Sequence, residues 1–434
     1  MNISKLDWKF TQVFGDRSVV ERVQKEDIIS AMAFSQRGNF MALGDNAGRL
    51  IIFEKSQLKK SKKGYLEFSY LTELQSHLHD FDVLKSQDID EHINSIQWLK
   101  REGHNMFLLS TNDKTVKLWK IGEKRIKKSV PFENKMGMKR EGLGMPRLVE
   151  IDKGYTPSLK RTFPNLHTYT INTVSVVPNG ENFITSDDVG IYLWNLERPE
   201  RVLRLFELNY KRQDEMQKLI TSCDFHPTND FSFTFSTSDG ILSLCDLRVS
   251  KNFQNTAKKS RPVEMVNNFF TPFLKNISNV KFTPDGKFLV ARDYLSVKTW
   301  DVRNLDKPYK VTNLYEPLKS RLCDLFDKDH VYDKFKVSTS PCSTHYVTGL
   351  YNNRFHIADI AGERNLQFEL NFQRKTIFNK IPDNYFETLG GNFDFNKKVL
   401  LTSWHPQTNV VAIASLNCLF FYNCLLYTSD AADE

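Results

Sequence analysis

Four side chains in the stretch SHLHDFD, His77, His79, Asp80 and Asp82, are of types that ligate divalent metals. A hydrolytic centre built on such ions would activate a water and stabilise charge on a phosphoryl group. A chain doing that chemistry alone should draw His and Asp ligands from several separate loops. These four crowd one charged stretch instead, which reads as a solvated loop. No G-x-S-x-G, H-E-x-x-H or phosphate-cradling glycine loop occurs. The six cysteines (Cys223, Cys245, Cys323, Cys342, Cys418, Cys424) are scattered, with no C-x-x-C pair. They suggest small apolar residues in a reducing compartment rather than a thiolate zinc site or a disulfide framework. The expectation is a chain that is not an enzyme and that holds no metal and no cofactor.

A second chemistry, charge complementarity, is better supported. Acidic residues collect in four separate loops: Asp88, Asp90 and Glu91; Asp187 and Asp188; Asp214 and Glu215; Asp327 and Asp329. Tyr169, Met216 and Tyr332 lie among them or close by. An apolar anchor with an acidic surround suits a short basic amphipathic helix of a partner, and its field would speed encounter and repel nucleic acid. Asp also suits turns for local reasons alone. The agreement of four loops speaks against coincidence, provided that one element places them together.

That element follows from a repeat. Seven segments share a pattern of three short alternating strands separated by turn residues: 31–53, 95–119, 173–194, 222–246, 279–301, 337–359 and 402–422. The last strand ends at Phe53, Trp119, Trp194, Cys245, Trp300, Ala358 or Tyr422, where a side chain can wedge between neighbouring sheets. A small sheet cannot bury both faces alone, so the units must stack radially. The fold class expected is all-β, a seven-bladed WD-repeat β-propeller over residues 1–423. The strand at 5–14 is expected to complete the last blade and close the ring, leaving no sheet edge. In such a ring, the loop leading into each blade and the turn between its second and third strands share one rim.

The composition agrees. Of 434 residues, 40% are apolar and 33 are Phe, too much apolar mass for a disordered chain. No apolar run is long enough to span a membrane, and MNISKLDWKF has no signal-peptide apolar core. The net charge is +8, and residues 122–166 carry eleven Lys/Arg against five Asp/Glu, a net of +6. That insert is either a solvated loop or a basic hairpin arm that reaches an acidic protein partner.

Beyond the repeat, DIISAMAF, GDNAGRLIIFE, FLLSTNDKTVKLWKI, HTYTIN, SDDVGIYLWNLE, ITSCDFHPTND, ARDYLSVKTWDVR, VYDKFKV and DFNKKVLLTSWHP occur in order over nearly the whole chain. Together they resemble the B-family, 55-kilodalton WD-repeat regulatory subunits of protein phosphatase 2A. The resemblance implies a non-catalytic propeller in a heterotrimer. It would dock on the HEAT-repeat scaffold subunit and present phosphoprotein substrates with basic segments to the catalytic subunit. The arm, with Lys124, Arg125, Lys127, Lys128, Arg147 and Leu148, would grip the scaffold. The resemblance also places recruitment at Asp188, Tyr169, Met216, Asp327, Asp329, Tyr332 and Lys334. Asp187, Asp214 and Glu215 join them on the rim, as do Asn46 and Thr170, which stand where the family has Lys and His. Val83 and Gly190 also depart from the family, and these changes bear on substrate range rather than fold.

Two other readings compete: a WD interaction platform such as a histone chaperone, and a nucleic-acid binder, which the scarcity of aromatics among the basic residues disfavours. A cytoplasmic location is expected, with the nucleus as a further one. No membrane or nucleic-acid partner is expected. Residues 424–434 continue neither the strand pattern nor the resemblance. They are expected to be a disordered tail of doubtful origin without a role.

Overall fold

The computed structural model describes residues 6–15, 23–56, 65–83, 85–100, 105–130, 147–164, 166–208, 218–249, 257–260, 268–362, 364–370 and 395–426. Among them are seven four-stranded antiparallel sheets and one two-stranded ribbon, Asp80–Asp82 with Gln87–Ile89. The seven sheets are the blades of a propeller. Blade 1 runs from Ile29–Phe34 through Phe40–Asp45 and Arg49–Lys55 to Phe68–Gln75. The innermost strands of the following blades are Ser95–Trp98, Thr173–Val176, Ile220–Phe225, Ile277–Phe282, Val337–Thr339 and Leu401–Trp404. Each innermost strand touches the next, and the last touches the first, so the ring is complete.

Closure is made as the alternation of residues 5–14 predicts. Strand Leu6–Phe14 pairs antiparallel with Cys418–Leu426 as the outer strand of blade 7. Trp8 is buried edge-on against Trp404 at 5.4 Å. The tail expectation needs correction here. Residues 424–426 extend this last strand, with Cys424 opposite Trp8 and Leu426 opposite Leu6. Residues 427–434 lie outside the described residues.

The core is divided into seven clusters, and each joins two neighbouring blades. The seven strand-end positions fall one to a cluster. Phe53 joins blades 1 and 7, Trp119 blades 1 and 2, and Trp194 blades 2 and 3. Cys245, Trp300, Ala358 and Tyr422 fill the remaining four. Each side chain thus faces the preceding blade. Burial of apolar area between sheets, at about 25 cal/mol per Å², holds the ring together where single blades could not stand.

The His-Pro motifs lock blades on the other face. His405 of WHP lies under the turn of blade 1, where its Nε2 meets the Gly38 carbonyl at 3.1 Å. Gly38 has φ +72°, and a Cβ there would run into the imidazole. His226 of FHP meets Gly286, φ +71°, in the same way. Only glycine satisfies both the left-handed turn and the close approach.

In blade 2 the two outer strands outrun the sheet. Val116–Val130 pairs with Arg147–Phe163, whereas Asn105–Thr111 accompanies it only as far as Gly122. Thr156–Phe163 is therefore the outer edge of blade 2. The insertion proper is 123–155, shorter than the 122–166 expected. Strand pairs from Glu123–Tyr155 to Val130–Arg147 form a two-stranded hairpin about 25 Å long at ~3.3 Å per residue. It leaves blade 2 at the end opposite the turn Asn112–Thr115, and hence opposite the rim that carries the blades' lead-in loops.

Candidate functional site

That rim is knitted by backbone hydrogen bonds. The lead-ins of four blades donate to the second turn of the blade before them: Ile93 to Asp45 (3.1 Å), Ile171 to Asp113 (2.9 Å), Ile220 to Asp188 (2.8 Å) and Val399 to Leu350 (3.0 Å). Ile29 of blade 1 likewise donates to Leu416 of blade 7 (3.0 Å). Side chains at these loops therefore stand on a fixed frame.

The paired acids at 187 and 188 divide the work. Asp187 is only 1% exposed. Its Oδ1 accepts the Val189 and Gly190 N–H groups at 2.9 and 2.5 Å, and its Oδ2 lies 2.9 Å from His167 Nδ1. His167 Nε2 reaches the Thr185 hydroxyl (2.9 Å), which also accepts the Trp194 indole N–H (2.8 Å). Asp187 thus anchors a buried chain from the turn to the inter-blade Trp. It is not available on the rim, and its inclusion among the recruitment residues is corrected.

Asp188 points the other way and is half-buried. It accepts a 2.8 Å hydrogen bond from Asn172 Nδ2, and Asn172 Oδ1 accepts one from Lys334 Nζ at 3.3 Å. Asn172 leads into blade 3 and Lys334 into blade 6, so this chain crosses the mouth of the ring. Tyr169, 48% exposed, and half-buried Thr170 precede Asn172 in the same loop.

The lead-in of blade 6 alternates its side chains. Tyr332 is 55% exposed and Lys334 is exposed, whereas Asp333 and Phe335 turn inward. Asp333 accepts the Tyr351 hydroxyl (2.9 Å) and the Lys398 ammonium (2.5 Å). Asp327 closes the helix Leu322–Asp327, and Asp329 adopts the left-handed conformation (φ 58°) that turns the chain into Tyr332. Asp has a side chain short enough to tolerate that geometry. Both carboxylates are exposed. Tyr332 stands edge-on to Phe273 at 5.6 Å, and Phe273 packs on Phe326, also at 5.6 Å. Phe269, 67% exposed, adds a ring 5.3 Å from Phe326. An aromatic patch beside two free carboxylates is the result.

No family model matches the chain. It is 37% identical to the B-type regulatory subunit of protein phosphatase PP2A from Schizosaccharomyces pombe, over 96% of its own length and 98% of the relative's. The chain belongs to the B family of protein phosphatase 2A regulatory subunits. A regulatory subunit of this family is not the catalytic one. Among solved structures, Chaetomium thermophilum Raptor aligns with TM-score 0.60 and 12% identity, over 98% of this chain and 30% of that one. The Myceliophteria thermophila Cps50 (Swd1) β-propeller domain aligns with TM-score 0.52 and 13% identity, over 91% and 96%. These two likenesses establish the propeller fold.

Within this B-family chain, the other expected residues are placed as follows. Asp88 and Asp90 are exposed and Glu91 half-buried at the lead-in to blade 2. Asn46, half-buried, spends its side-chain amide on the Lys25 carbonyl (2.9 Å). Asp214, Glu215 and Met216 lie outside the described residues. In the arm, Lys124 is exposed. Arg125, Lys127 and Lys128 pair with Lys153, Glu150 and Val149, and Leu148 and Arg147 with Ser129 and Val130. The side chains from 125 to 130 and 147 to 153 lie outside the described residues.

The stretch 77–82 disperses. His77 is buried with Nδ1 3.1 Å from the Ser76 hydroxyl, which also accepts the Trp119 indole N–H at 2.9 Å. Desolvation, aided by Lys117, lowers its pKa to about 3, so it is neutral. His79 and Asp80 face solvent.

Sequence reasoning missed Asn172, although it closes the motif HTYTIN. It also missed Phe269 and Phe273, for which the run NFFTPF was the available sign, and Phe326.

Proposed function

We propose that this chain joins the scaffold and catalytic subunits of protein phosphatase 2A and brings them phosphoproteins that carry basic segments. The basic arm docks on the scaffold, and the acidic and aromatic rim holds the client. Family membership supports the assembly. Client binding is supported chiefly by one observation: Asp188, Asn172 and Lys334 form a polar chain across the mouth of the ring, beside exposed Tyr332, Asp327 and Asp329. Aromatic anchors supply most contact energy in such surfaces, while surrounding carboxylates select basic partners and raise the association rate. Arm and rim lie at opposite ends of the ring, so one can be engaged while the other stays open. The cytoplasm, with the nucleus, is the proposed location.

The test is reconstitution. The full chain, mixed with phosphatase scaffold and catalytic subunits, should elute as one heterotrimer, and it should speed dephosphorylation of a phosphopeptide with basic flanks. A chain that elutes alone would refute the assembly. A heterotrimer with no gain on that peptide would refute the client reading.

A further inference from the structure

Along the propeller axis lies a cavity of about 300 Å³, lined by the inner strands of six blades. By volume that is room for about ten waters. Two of its lining residues are charged, Lys281 and Lys336, and none is acidic. Their situations differ. Lys281 Nζ is 2.6 Å from Asp224 Oδ1, with its side chain 37% exposed. Lys336 Nζ makes one long hydrogen bond, 3.4 Å, to the Asn94 carbonyl. Among the described residues no carboxylate lies within ion-pairing distance of it. Above it, Lys334 is engaged by Asn172 at the rim.

An ammonium in such a place is expensive unless something of opposite charge meets it. Burial, with Lys281 and Lys334 nearby, lowers Lys336 to about 8, so it still carries its proton at neutral pH. Ser95, Ser338 and Ser403 line the same space. Ser95 Oγ accepts the Val174 N–H (3.4 Å) and Ser338 Oγ the Trp404 N–H (2.8 Å), which leaves their O–H groups to donate, whereas the Thr173 hydroxyl is engaged with Ser186 and Cys223. Two ammonium groups and the O–H donors of Ser95, Ser338 and Ser403 match an oxyanion with several acceptors, to which Lys offers a point charge. The space is too narrow for a folded element of a partner.

We infer that the axial channel binds a small oxyanion of the phosphate class, seated on Lys336 and Lys281 and supported by the hydroxyls of the inner strands. This site is separate from the proposed client surface and does not depend on it. Free phosphate or the phosphoryl group of a phosphorylated side chain could supply the ligand, because both present the same oxygens.

Phosphorus NMR of inorganic phosphate with the full chain, at constant ionic strength in chloride, tests this. Saturable line broadening is expected, with affinity about tenfold weaker in Lys336→Met and in Lys336→Gln, equivalent to about 1.4 kcal/mol. O-phosphoserine run alongside separates the sources: binding of both ligands admits a phosphorylated side chain, and binding of phosphate alone restricts the site to the free ion. Two results would overturn the inference: no saturable broadening at millimolar phosphate, or unchanged affinity in folded Lys336 variants. Should neither variant fold, Asp224→Asn releases Lys281 and should tighten phosphate binding; unchanged affinity there would equally refute the site.

Discussion

At one end of the ring, the loops at 169–172, 187–190 and 327–334 rest on blades whose inter-sheet cores hold Trp194, Tyr315 and Phe335. At the other, residues 123–130 and 147–155 pair only with each other. The rim owes its geometry to polar groups buried beneath it: Asp187 under Asp188, and Asp333 under Tyr332 and Lys334. The surface proposed to bind clients thereby stands on a fixed frame. At the base of the arm Tyr155 packs on the core between blades 1 and 2, and the described pairs beyond it continue the register of blade 2. The basic hairpin continues the two outer strands of blade 2. Damage to the polar layer beneath the rim should therefore travel into stability, and damage to the arm should not.

The sharpest separation is expected from removing residues 124–152 and joining the strands with a short turn. Affinity for the phosphatase scaffold should fall by about a hundredfold or more, roughly 2.7 kcal/mol, while the thermal midpoint stays within about two degrees. Pull-down with the isolated scaffold subunit and differential scanning calorimetry check the two halves. A large loss of stability would mean that the arm supports the ring after all.

Next in size is Asp187→Ala. It strips His167 and two backbone N–H groups of their acceptor inside the protein, which should cost about 2–4 kcal/mol. Asp188→Ala, one residue away, should cost less than about 0.5 kcal/mol, because its carboxylate is half-exposed. Urea melts of the two variants compare them directly. Equal losses would erase the distinction between anchor and rim.

A smaller effect concerns pH. His77 in the folded chain is held near 3, against 6.5 when unfolded. Between those values the unfolded chain takes up a proton that the folded one refuses, so stability falls as pH falls. The slope from this one group is about 1.4 kcal/mol per pH unit. Unfolding free energies from urea melts of the wild type and His77→Gln should diverge by about 2 kcal/mol between pH 7 and pH 5, and parallel curves would contradict the buried neutral imidazole.

Much of this architecture is legible directly in residue pattern. Period-two alternation names the strands, and the seven strand-end positions from Phe53 to Tyr422 each occupy a separate inter-blade core. Closure by residues 5–14 is visible for the same reason, since its alternation matches a strand that lacks a neighbour nearby in sequence. The site is less legible. Asp187 and Asp188 are the same residue type in the same turn, and only the position of His167 shows which one is buried. Asn172 meets Lys334 across 162 positions of chain, a contact that no local pattern encodes. The outer edge of blade 2 reads as insertion because Thr156–Phe163 shares the charge of the hairpin it ends. Residues 424–426 read as tail because their partner, Leu6–Trp8, lies at the other terminus.

The most direct test is the rate at which the reconstituted heterotrimer dephosphorylates two peptides, one with basic flanks and one with neutral flanks, with wild-type chain and with Asp188→Lys. The account predicts that the charge reversal slows the basic peptide by about tenfold or more and leaves the neutral one unchanged, with the heterotrimer intact. Equal rates for the basic peptide in wild type and variant would contradict it.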